Sequence, residues 1–85
     1  MDKSKQKILN ALGYLVRQRR QELGISQEEL GLRANLDRTY ISGVERGVRN
    51  PSLTALVSIA DGLGISVSIL LSGLEEKVTT YNEKK

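Results

Sequence analysis

The sequence predicts an all-α fold built from five helices. Three observations carry that prediction: apolar residues recur at intervals of three and four, good capping residues precede those runs, and glycines follow them. The runs are Leu12, Val16 and Leu23; Leu30 and Ala34; Ile41 and Val44; Leu53, Leu56, Ile59, Ala60 and Leu63; and Ile69 and Leu70. No period-two alternation persists long enough to suggest a strand.

The first helix is predicted over residues 6–23 and stops at Gly24. The second, over 27–33, opens with a capping box, Ser26 followed three residues later by Glu29. Ile25 before that cap and Leu30 inside the helix form a hydrophobic staple. The same spacing returns as Leu36/Ile41 around Asp37, which starts a third helix over 38–46, and as Ile65/Leu70 around Ser66. Ser52, after Pro51, caps a fourth helix over 53–63, and the fifth runs over 67–73. Gly47, Gly64 and Gly73 are the remaining stop signals. Residues 1–74 therefore read as one domain, and "EEKVTTYNEKK" at 75–85 as a polar tail, with Val78 and Tyr81 able to pack only under a partner.

Composition narrows the function. Eighty-five residues support one core. There is no His, Cys, Trp or Phe, so the usual acid–base group, thiol nucleophile and transition-metal ligands are missing. Glu28–Glu29 and Glu75–Glu76 are adjacent carboxylates in polar surroundings, which reads as solvated helix surface rather than a catalytic pair. The expectation is a protein that is not an enzyme and holds no cofactor or metal. With neither a signal-like apolar stretch after "MDKSKQK" nor a long apolar run, a cytoplasmic location is expected. Residues 1–49 hold ten Lys/Arg against six Asp/Glu, and residues 50–85 three against four. A basic N-terminal half suits a polyanionic partner.

The second and third helices are joined by only "ANLD". So short a turn forces a steep crossing, the geometry of a helix-turn-helix at about residues 27–46. Gly31 is small where the helices must approach, and Asn35 tolerates the left-handed backbone of a tight reversal. Around this unit, "GISQEELGLRANLDRTYISGVERGVRNPSLTALVSIADGLGIS" resembles the Cro/C1-type helix-turn-helix regulators, the XRE family. The resemblance spans about residues 8–72. Its stretch "LDRTYISGVERGVRNPSL" is most similar to the controller proteins of restriction–modification systems. Gly31 stands where the family usually has Ala, and Asn35 where it often has Gly.

The resemblance implies a five-helix lambda-repressor-like DNA-binding domain whose third helix enters the major groove. The side of that helix away from Ile41 and Val44 carries the expected base contacts, Arg38, Thr39, Ser42 and Gly43. Arg38 can present two donors to guanine, and the Thr39 methyl can meet a thymine methyl. Gly43 either lets the helix approach the DNA closely or is merely tolerated. Expected phosphate contacts are Gln27 at the start of the second helix, Tyr40 on the third, and Arg46, Arg49 and Asn50 after it. Tyr40 could equally pack against the first helix, and Arg33 reads as plain surface. By resemblance, Arg20 and Glu45 form a partly buried ion pair that positions the recognition helix.

One recognition helix reads too few base pairs to find a genomic site, so a homodimer on a palindromic operator is expected. Val57, Val67, Leu71 and Leu74 are the candidate dimer surface; otherwise they complete the monomer core. Expected partners are double-stranded DNA, a second copy of the chain and RNA polymerase, with no membrane and no small-molecule ligand. The function implied is transcriptional regulation, with control of a restriction–modification operon as its specific form. The alternative is an antitoxin-like module that neutralises a partner toxin.

Overall fold

Serine hydroxyls set where three of the helices begin. The computed structural model describes residues 3–83, and the side chains of 4–78. The helices are α1 (Lys3–Leu23), α2 (Gln27–Ala34), α3 (Arg38–Glu45), α4 (Leu53–Gly62), α5 (Val67–Leu71) and α6 (Leu74–Glu83). Ser26 Oγ accepts the Glu29 N–H at 3.0 Å, Ser52 that of Ala55 at 3.1 Å, and Ser66 that of Ile69 at 3.1 Å. Each such cap is worth about 1 kcal/mol over alanine. Glu29 uses its carboxylate to accept from Arg33 Nε at 3.1 Å, so the capping box works through its serine. Asp37 occupies the N-cap of α3 in extended conformation without a side-chain cap hydrogen bond. Its carbonyl accepts from Tyr40 and Ile41 instead.

The three staples bring one large residue from each helix into the core: Leu30, Ile41 and Leu70 are almost fully buried, and Ile25, Leu36 and Ile65 pack over them. Val16, Val44, Ile59 and Ala60 complete the centre. The glycines at 24, 47, 64 and 73 all take positive φ, as helix stops do, and among the described residues Asn35 is the non-glycine residue that does so, at φ 56° and ψ 44°.

α2 and α3 form the predicted helix-turn-helix, with α1 against α3 and α4 against α2. Its turn is tight because Leu36 N–H donates to the Gly31 carbonyl at 2.8 Å. A Cβ at Gly31 would lie 2.6 Å from the Leu36 carbonyl oxygen, so even alanine would push α3 out of place. Here glycine is a requirement of this chain's turn.

The five expected helices are all present, and a sixth follows where a polar tail was expected at 75–85, of which residues 84–85 lie outside the described residues. α6 occupies Leu74–Glu83 and packs along α1. Leu74 packs against the core cluster, Val78 is half-buried, and Lys77 Nζ lies 4.2 Å from the Tyr14 ring centroid. The segment's polarity masked the fact that Leu74 and Val78, four apart, share one helix face. The Tyr81 side chain lies outside the described residues. Among those residues, no single helix is long and apolar enough to cross a membrane.

Candidate nucleic-acid interface

α3 turns about 100° per residue, so Ile41, Val44 and Glu45 share one side and Arg38, Ser42, Arg46 and Thr39 share another. Ile41 and Val44 are at 0% exposure, which fixes the rotation of the helix and leaves the second set outward. Arg38 and Thr39 are exposed, and Ser42 is half-buried. Arg38 and Thr39 make no side-chain hydrogen bond or ion pair among the described residues. Arg46 Nε donates to Ser42 Oγ at 3.1 Å, which joins two expected contact residues into one exposed pair. This is a polar ridge with a free guanidinium at its N-terminal end.

Gly43 leaves the set of base-facing residues. Position alone puts it nearly opposite Ile41, but it is buried. The chain after α3 folds back, and the Val48 and Arg49 N–H groups donate to the Gly43 carbonyl at 3.0 and 3.1 Å. A Cβ at Gly43 would stand 3.1 Å from Arg49 Cβ. Its smallness leaves room for the returning loop.

Tyr40, whose role was open between phosphate and packing on the first helix, packs, but beside α4. It lies half-buried on the core, beside Leu36, Ser52, Thr54, Ala55 and Ser58, in a shallow cleft between α3 and α4. The Arg49 guanidinium carbon lies 4.8 Å from its ring centroid. At such an exposed site this cation–π contact is worth about 0.5–1 kcal/mol. Tyr40 thus orients a cation at the edge of the ridge. Arg49 and Asn50 are both exposed there.

Glu45 organises the far end of α3. Its side chain is at 0% exposure, and it takes two hydrogen bonds from Arg20, Nε to Oε2 at 2.7 Å and Nη2 to Oε1 at 3.0 Å. Arg20 spends a third donor on the Ile25 carbonyl at 2.9 Å. The hydrogen bond to Glu45 is the chief cause that raises the Arg20 guanidinium above its ordinary pKa, against the opposing effect of burial. Arg17 Nε lies 3.9 Å from the same carboxylate, with its side chain half-exposed. Gln27 Nε2 donates to Glu45 Oε1 at 3.0 Å. Gln27 is therefore not simply a free amide waiting for phosphate: one of its hydrogens is held by Glu45, which fixes where the other points.

The residue that sequence reasoning passed over is Gly13. A Cβ there would sit 2.5 Å from the Glu45 carbonyl oxygen and 2.6 Å from that of Val44. α1 and α3 can approach this closely only without a side chain at 13. The available signal was a glycine in the interior of a long helix, a costly choice that needs a packing reason. Val67, Leu71 and Leu74 are half-buried against the core, while Val57 is 50% exposed and Ile69 47%.

Known proteins share this fold. The Helix-turn-helix family matches residues 16–70. The control protein C.MunI of Mycoplasma sp. is 44% identical over 59 residues, which are 69% of this chain and 80% of that protein. The control protein C.BamHI of Bacillus amyloliquefaciens is 45% identical over 60 residues, 69% of this chain and 74% of its own. Among solved structures, the restriction–modification controller C.Esp1396I, as a tetramer in complex with its natural 35-base-pair operator, superposes with a TM-score of 0.77 at 36% identity, covering 85% of this chain and 95% of that one. These relatives are regulators rather than enzymes. With the turn, the buried Arg20–Glu45 pair and the outward face of α3 all in place, the chain belongs to the XRE-type helix-turn-helix family of DNA-binding transcription regulators.

Proposed function

We propose that this chain acts as a homodimer on palindromic operators and controls a restriction–modification operon. The observation that carries the reading is the ridge of α3. Arg38 and Thr39 are exposed and free of internal partners, Ser42 and Arg46 follow one turn on, and Arg49 and Asn50 flank them. Arg38 and Thr39 address base edges, with Ser42 beside them; Gln27, Arg46, Arg49 and Asn50 address phosphates. Tyr40 contributes by holding Arg49 at the edge, with its own hydroxyl as a further phosphate donor. Val57, Val67, Leu71 and Leu74 form the dimer surface, supported by the exposure of Val57 and Ile69. The likeness to C.MunI, C.BamHI and C.Esp1396I supports the restriction–modification setting and an assembly larger than one chain on DNA. In that setting RNA polymerase is the machinery the bound regulator meets.

Selection from a random duplex pool tests the proposal directly. The expected product is a two-fold symmetric site with half-sites about 34 Å apart, bound by two chains in sedimentation. A pool with no enriched site, or a single half-site bound by one chain, overturns it.

A further inference from the structure

The C-terminal end of α3 leaves carbonyl groups that no later turn of helix can satisfy. Gly47, just past that end, has φ +76°, and its carbonyl accepts a hydrogen bond from outside the motif, Gln6 Nε2 at 2.9 Å. The other hydrogen of the same amide goes to Asn10 Oδ1, also at 2.9 Å. Asn10 in turn fills the space where a Gly47 side chain would begin, its Oδ1 and backbone pressed against that position. One helical face of α1 thus carries Gln6, Asn10, Gly13, Arg17 and Arg20, at the i, i+4, i+7, i+11 and i+14 spacing of a single stripe. Each member of that stripe meets α3 or the residues just after it: the Gly47 carbonyl, the Gly47 backbone, the Val44 and Glu45 carbonyls, and the Glu45 carboxylate.

We infer that Gln6 is a positioning residue for DNA binding. Together with Asn10 it forms a strut from α1 that fixes Gly47 and so aims the Val48–Asn50 loop, with Arg49, at the DNA backbone. At its two ends the loop is held by the Gly47 N–H, which donates to the Val44 carbonyl at 3.1 Å, and by the buried Pro51. Between them Val48, Arg49 and Asn50 are all exposed, and their anchors are the two N–H bonds to the Gly43 carbonyl and the stacking of Arg49 on Tyr40. Both anchors lie beyond Gly47. Freeing its carbonyl lets the loop pivot about a residue with no side chain. The inference rests on the proposed DNA-binding role for its consequence, but the strut itself has a readout that needs no DNA.

The test compares the wild-type chain with Gln6→Met, which keeps length without donors, and Gln6→Glu, which keeps shape without donors. Amide hydrogen exchange of Gly47, Val48 and Arg49 should accelerate about three- to tenfold in both variants, the worth of one hydrogen bond, with the Leu30 and Ile59 amides unchanged. Binding is then measured on the duplex most enriched from a random pool by the wild-type chain, and on random-sequence duplex, across a salt series. Both variants should weaken both duplexes by similar factors and flatten the salt slope by about one phosphate contact. Unchanged loop exchange overturns the strut. Faster exchange with unaltered affinity and slope overturns the positioning role. If the wild-type chain enriches no duplex, it is the regulator reading that fails, and loop exchange alone decides the strut.

Discussion

The two ends of α3 differ sharply in how much of the protein holds them. At the C-terminal end, Glu45 is fully buried, receives donors from Arg20 and Gln27, and lies against a glycine of α1 with no space to spare. At the N-terminal end, Arg38 and Thr39 stand in solvent, and Asp37 supplies no side-chain cap. A helix that must present side chains in register needs rigid fixation, but fixing groups cannot occupy the face being presented. The chain separates the two demands along the helix. Substitutions of the buried groups that fix the C-terminal end should therefore act on folding, and those of the exposed Arg38 and Thr39 on binding.

The largest effect expected is that of Arg20→Ala, which leaves the Glu45 carboxylate buried with only Gln27 and the more distant Arg17. It should lower unfolding free energy by about 3–5 kcal/mol, measured by urea denaturation. A loss below 1 kcal/mol would mean that the pair is not what anchors α3. Gly13→Ala comes next. Its new methyl group meets two backbone carbonyls, so α1 and α3 must separate, at about 1–3 kcal/mol. Unchanged stability would show that the close approach is optional. Arg38→Ala should reverse the pattern, losing about 1–3 kcal/mol of operator binding and relaxing preference at one base pair per half-site. Its thermal midpoint should stay level or rise slightly, since a cation near a helix N-terminus opposes the dipole. If binding and stability fall together, the division between the two ends fails. The smallest effect belongs to Arg33→Ala, which removes an exposed pair with Glu29 and should change stability by no more than about 0.5 kcal/mol.

Much of this was legible in the sequence because it depends on residues near one another in the chain. Capping serines, staples and stop glycines each act within a turn of helix, and all three staples bring their inner residue into the core. The turn between α2 and α3 was legible for the same reason, through Gly31 and Asn35. The burial of Glu45 with Arg20 was reached only through family resemblance, since their separation of 25 residues leaves no local mark.

What the sequence could not show was what would cover each flank of a helix. Periodicity placed Gly43 opposite Ile41, but the returning loop buried it, and the same loop brought Arg49 over Tyr40. α6 looked like a polar tail until α1 offered a surface for Leu74, Val78 and Lys77. The amino-acid order by itself determined the first five helices, their limits to within a few residues, the helix-turn-helix and the outward set Arg38, Thr39 and Ser42. Only the tertiary structure decided the parts played by Gly13, Gly43, Tyr40, Gln6 and the last helix. Helical spacing fixes which residues share a face, whereas the neighbour that meets that face comes from chain far away in sequence.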